Sequence, residues 1–288
     1  MNLNKLAGLS CLLTLTATLS ARAMMIAPPS VAQRVATADG VIVGKVISLE
    51  PKTVFATRFP GDKEKGEFVI AVVKVDEALV GVVGAKEVRV GFIAPPPPPP
   101  APVPGAPILL RKPYRGPTLA VDQEACLYLT KHSTESFFTL PAYYDVVNKK
   151  DNPNFAKEIE WVKKAAKLLA DPKTGFASKD AEDRFITAAL LLSRYQRRVF
   201  GTVGEPKSEP ISAEESKQIL LALLDADWTN AGRDPQIART SPQLFFSMLP
   251  NKPGWTQPKD YKQFPDEARK WLKANAETYR VTKIVSEK

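Results

Sequence analysis

Histidine and cysteine are the scarcest reactive residues in this 288-residue sequence: one histidine, His132, and two cysteines, Cys11 and Cys126. So few imidazoles and thiols leave almost no ligands for a zinc, haem or iron–sulfur centre, and no metal or cofactor is expected. Any Ser-His-Asp or Cys-His machinery would have to use His132. That residue lies in Thr130-Lys131-His132-Ser133, just past a strand pattern, where a solvated turn residue is expected. No G-x-S-x-G, H-E-x-x-H, P-loop or G-x-G-x-x-G motif is present. Asp225-Ala226-Asp227 with Asn230 is similar to a calcium loop, but Asn and Gln236 stand where that loop needs Gly and a bidentate Glu. No catalytic, cofactor-binding or metal-binding residue is assigned. A pair of carboxylates placed by the fold, as in a glycosidase, is the one enzymatic arrangement that needs no motif.

A strong charge of one sign is also lacking. The 40 basic and 31 acidic residues are mixed throughout. Nucleic-acid binders gather their basic residues on one face, so no nucleic-acid partner is expected. No hydrophobic run reaches the ~18 residues that a membrane anchor needs. The longest, Leu6 to Ser20, follows Lys5 and ends in Ala21-Arg22-Ala23. This is the layout of a cleaved secretory signal over residues 1–23, and it predicts export to the periplasm or the cell exterior with no stable membrane anchor. Lipidation at Cys11 is not expected, because Gly8 stands where a leucine belongs. Without residues 1–23 a surplus of seven positive charges remains, split as three over residues 24–150 and four over 151–288.

Cleavage would leave Cys126 alone, so the mature chain needs a core that holds without a disulfide. Alternation over Leu119 to Leu129 places Cys126 with Asp122, Glu124 and Tyr128, opposite Val121, Leu127 and Leu129. Near two carboxylates a thiolate is disfavoured, and an inert cysteine follows.

What the sequence does contain is ordinary globular material: 44% hydrophobic and 25% charged residues, a composition that excludes collagen-like, coiled-coil and wholly disordered chains. Two domains fit the length. Between residues 24 and 150, short β-branched runs predict five strands, at Val41–Leu49, Phe68–Val75, Val88–Ile93, Leu119–Leu129 and Phe137–Val147. Their close spacing argues an antiparallel meander or small barrel. Nine prolines between Pro95 and Pro107 sit within an insertion over 94–117, expected as a stiff, extended loop. Arg111, Lys112, Tyr114 and Arg115 follow the prolines and are the candidate partner-binding residues.

From residue 151 the period becomes helical. Phe155, Ile159, Val162, Ala166 and Leu169 form one apolar stripe. A second helix, Ser178 to Val199, has Asp180, Glu182 and Asp183 at its start and Arg194, Arg197 and Arg198 at its end. The capping box Ser212-Ala213-Glu214-Glu215 opens a third. Pro242 to Leu249 is a short fourth, Pro265 toward Tyr279 a fifth, and Val281 to Val285 a last strand. Trp161, Trp228, Trp255 and Trp271 all fall in this half and are expected to be buried.

Ala38-Asp39-Gly40-Val41-Ile42-Val43-Gly44-Lys45 resembles the opening strand of netrin-like modules and tissue inhibitors of metalloproteinases, and the later strands and the 155–169 helix follow in similar order. The resemblance implies an N-terminal five-stranded OB-like antiparallel barrel, followed by a C-terminal helical domain, in the α+β class. Inhibition in that family rests on an amino-terminal cysteine that binds the peptidase zinc, and the expected mature start Met24-Met25-Ile26 has none. The fold carries over and the functional residues do not. The whole chain also resembles uncharacterised secreted bacterial proteins with a similar helical part. The expected role is non-catalytic binding or structural interaction with a protein or envelope polymer. A peptidase inhibitor acting without that cysteine, and a carboxylate hydrolase, are the alternatives.

Overall fold

The computed structural model describes residues 28–59, 62–95, 116–198, 206–229 and 241–285. The expected signal segment, most of the proline-rich insertion and the candidate residues Arg111, Lys112, Tyr114 and Arg115 lie outside these.

The described residues open on a helix absent from the sequence expectations, α1 (Val31–Thr37). Ser30 caps it: its Oγ accepts from the Gln33 amide at 3.2 Å, and Gln33 Oε1 accepts from the Ser30 amide at 3.0 Å, a reciprocal capping box. Strands β1 (Gly40–Leu49), β2 (Val54–Thr57), β3 (Lys65–Val80), β4 (Glu87–Ile93), β5 (Glu124–Lys131), β6 (Phe138–Thr139) and β7 (Val146–Asn148) form one mixed sheet. Its pairings run in a cycle: β1 with β3, β3 with β4, β4 with β6, β6 with β5, and β5 back to β1. All are antiparallel except β4 with β6.

Two expected strands are corrected. The one expected from Leu119 begins only at Glu124, because Asp122 adopts φ 68° in a turn that donates back to Val46. The one expected over Phe137–Val147 is split. Pro141 cannot donate to a ladder, and residues Tyr143–Asp145 make a 3₁₀ turn whose Asp145 Oδ2 accepts from the Ala142 amide at 2.8 Å. Two glycines of the sheet half permit close approach: a Cβ at Gly81 (φ 78°) would lie 2.1 Å from the Asp39 carbonyl oxygen, and one at Gly91 2.5 Å from the Phe137 ring.

The second half contains α2 (Phe155–Ala170), α3 (Pro172–Phe176), α4 (Ala181–Tyr195), β8 (Lys207–Pro210), α5 (Ala213–Asp225), α6 (Pro242–Met248), α7 (Phe264–Asn275) and β9 (Thr282–Val285), with β8 and β9 paired. Asp180 caps α4, accepting from the Glu182 amide at 2.9 Å, and the helix ends at Tyr195, four residues short of expectation. The helix expected toward Tyr279 stops at Asn275. Trp228 and Trp271 are buried in an aromatic cluster around Phe246, whereas Trp161 and Trp255 are only half-buried.

Strand β5 is buried on both faces, and this fixes where the two halves meet. Ala125, Leu127 and Leu129 pack with Ile42, Val73 and Val90 in a cluster of strand and loop residues to which no helix contributes. Cys126 and Tyr128 face the other way and join Val35, Val162, Leu190 and Leu223 in the helical core. Each fully buried side chain of this size contributes roughly 1.5 to 3 kcal/mol. Of the expected grouping, Cys126 does share its face with Tyr128, opposite Leu127 and Leu129, but the two carboxylates are not beside it: Asp122 is in the turn and Glu124 is exposed, while Cys126 is completely buried.

Candidate functional site

Where α1, the end of β5 and the Tyr143–Asp145 turn converge, they border a half-open cavity of about 730 Å³, within the range of small-molecule sites. Its buried end is built around Arg34, which the capped helix α1 carries inward. Arg34 Nη2 donates to Glu158 Oε1 at 2.6 Å, Nη1 donates to the Tyr144 carbonyl at 3.0 Å, and the guanidinium lies 4.3 Å from the centre of the Tyr128 ring. Asn152 Nδ2 donates to the second Glu158 oxygen at 2.9 Å. Arg34 Nε and the Tyr128 hydroxyl make no hydrogen bond of normal geometry; the hydroxyl has only the neighbouring Cys126 sulfur beside it.

Burial pushes the Cys126 thiol up to about 12, although α1 brings the Arg34 charge toward it. The thiolate is disfavoured by desolvation under the helical layer and not by carboxylates on its strand.

Two carboxylates line the cavity. Half-burial acts to raise Asp39, but two bonds from the Arg197 guanidinium, at 2.7 and 3.2 Å, and one from the Lys131 amide, at 2.8 Å, outweigh it and hold the carboxyl below its ordinary range. Asp145 is pushed up to about 6, because its burial outweighs the bond from Ala142 and the Arg34 charge.

His132 is corrected from a solvated turn residue to a buried one, 5% exposed. Its Nδ1 accepts from the amides of Thr134 at 3.2 Å and Glu135 at 3.0 Å, which leaves the proton on Nε2, and Nε2 donates to the Thr57 carbonyl at 2.9 Å. Its ring packs edge-on to Phe68 and against Phe137, with centroids 5.8 and 4.8 Å away. With both nitrogens engaged, it has no lone pair to offer as a general base. Among the described residues no three His, Cys, Asp or Glu side chains gather to hold a metal ion, and no helix is long and apolar enough to cross a membrane.

The mouth is cationic. Arg58, Lys131 and Arg198 are exposed there, and Arg197 stands beside them in its pair with Asp39. Sequence reasoning named Arg197 and Arg198 for their helix-end position but missed Arg34, Glu158 and Asp145. Signals for the first two exist. Ser30-x-x-Gln33 is a capping-box pattern, and Glu158 falls in phase with Val162, Ala165 and Leu169 on the buried stripe of α2.

No family model matches the chain, and neither a curated protein nor a solved structure matches it.

Proposed function

We propose that the protein is an exported, non-catalytic binding protein whose N-terminal half is an OB-like barrel, and that the cavity is its binding site. The cycle of strand pairings, with the single parallel pair β4–β6, supports the barrel. The observation that carries the binding reading is a half-open cavity of about 730 Å³ in which, among the described residues, the imidazole has both nitrogens engaged and the nearby thiol is held protonated by burial. It accommodates one small molecule, or one end group of a larger protein or envelope polymer. The fluorescent probe anilinonaphthalene sulfonate tests this. The purified chain should bind one equivalent with blue-shifted emission, and Ala142→Trp, which fills the cavity wall, should lose that binding while keeping its melting temperature. Equal binding by the variant would contradict the assignment.

A hydrolase is the second reading, favoured by Asp39 and Asp145 lining one cavity with their pKa values pushed apart. Against it, both Asp39 oxygens are already bonded to Arg197 and the Lys131 amide. Asp145→Asn separates the two: a binding protein keeps the probe, whereas a hydrolase loses turnover. The inhibitor alternative is tested by titrating the chain against a panel of peptidases.

A further inference from the structure

We infer that the cavity takes a small ligand carrying an anionic group, carboxylate or phosphate, on an apolar body, with the anion at the mouth among Arg58, Lys131 and Arg198. The inference rests on the reading of the cavity as a binding site.

Charge sets the orientation. Among the described residues, five cationic side chains line the cavity against two carboxylates. Of the five, Arg34 is neutralised by Glu158 and Arg197 by Asp39. Arg58, Lys131 and Arg198 have no ion pair among the described residues, and all three are exposed at the entrance. Lys131 also feels the Asp39 charge, but Arg197 already holds both Asp39 oxygens; cations that line one cavity repel one another, and an anion placed among them relieves that repulsion. At the other end Asp145 is buried, and a second negative charge beside it would be costly. The anion therefore stays outside and the remainder of the ligand points inward.

The walls suit an apolar body. Phe68 and Ile93 are register partners on β3 and β4, and Leu140 and the face of Tyr128 lie deeper. Arg58 of the mouth and Ile93 of the apolar wall meet over Gly66. Arg58 Nε and Ile93 Cδ1 lie 3.0 and 2.9 Å from where a Cβ at Gly66 would stand, so a cationic stem and an apolar side chain flank the same bare backbone.

Calorimetric titration of the purified chain with octanoate, octyl phosphate, octan-1-ol and inorganic phosphate tests the inference. Octanoate or octyl phosphate should bind one per chain, ~10-fold or more tighter than octan-1-ol and than inorganic phosphate, a gap of ~1.4 kcal/mol or more. The tighter of the two names the head group. The triple variant Arg58→Gln, Lys131→Gln, Arg198→Gln alters only exposed side chains and should melt as the parent does. It should lose that preference together with the salt dependence of binding. Octan-1-ol binding as tightly as octanoate, or an unchanged triple variant, would overturn the anionic assignment and leave the cavity as a binding site. Inorganic phosphate binding as tightly as octyl phosphate would overturn the apolar body. No binding of any octyl compound at about 1 mM, a standard free energy weaker than about −4 kcal/mol, would overturn both this inference and the reading it rests on.

Discussion

Arg34 and Glu158 lie 124 positions apart in the chain and meet as a buried ion pair, Nη2 to Oε1 at 2.6 Å, with side-chain exposures of 8% and 5%. This pair ties α1 to α2 over the outer face of β5 and, through the Tyr144 carbonyl, fixes the turn that borders the cavity. Removing one partner leaves a buried charge uncompensated, which typically costs ~3 to 5 kcal/mol. Glu158→Gln should therefore lower stability in urea by an amount of that order. The double variant Arg34→Met, Glu158→Leu should be less destabilised than either single removal, since it leaves no orphaned charge.

Asp145 gives a pH dependence of defined sign. Its folded pKa, about 6, lies above its ordinary value of 3.8. The folded state thus binds the proton more tightly, and the stability Asp145 contributes is present below pH 4 and lost as pH rises through about 6. The cost above pH 6 is roughly 2 to 3 kcal/mol. Asp145→Asn should flatten the decline between pH 4 and 6 and raise stability at pH 7, read from urea midpoints across that range. Asp39 acts oppositely: its depressed pKa contributes stability that is lost as acid protonates it below its ordinary range. Arg197→Gln should weaken that acid-side loss.

For His132 the expected effect is on stability. His132→Ala removes an acceptor from two amides and a donor from the Thr57 carbonyl, and empties the space between Phe68 and Phe137. A loss of about 2 to 4 kcal/mol is expected in chemical denaturation. A fully stable His132→Ala variant would show that this network contributes little.

Cys126 should resist modification in the native state. With the thiol buried and its pKa pushed up to about 12, iodoacetamide should react only as fast as the chain opens. Cys126→Ala should be tolerated. Cys126→Ser buries a hydroxyl beside the Tyr128 hydroxyl, at a cost of ~1 to 3 kcal/mol if the two do not pair.

Much of the architecture was legible in the sequence, because strands such as Phe68–Val75 carry a continuous β-branched apolar run and helices such as Phe155–Leu169 a regular apolar stripe. The strands that failed were those whose apolar runs conceal a turn, at Asp122 and at Pro141. Period alone does not register a positive φ or a missing donor. The cavity was far less legible. Its walls come from α1, β3, β5 and the turn before β7, and only the fold brings Arg34 to Glu158 or Asp39 to Arg197. Glu158 carried a local signal, a carboxylate on an apolar stripe. Asp145 carried none, since its burial depends wholly on what packs over the turn.

Hydrogen exchange of the purified chain with and without saturating octanoate tests most directly whether the cavity is the binding site. Added protection is expected in peptides covering Val31–Asp39, Tyr128–Ser133 and Thr139–Asp145, the segments that border it, with α5, α6 and α7 unchanged. Protection confined to those helices, or octanoate bound with no change around Arg34 and Asp145, would contradict it.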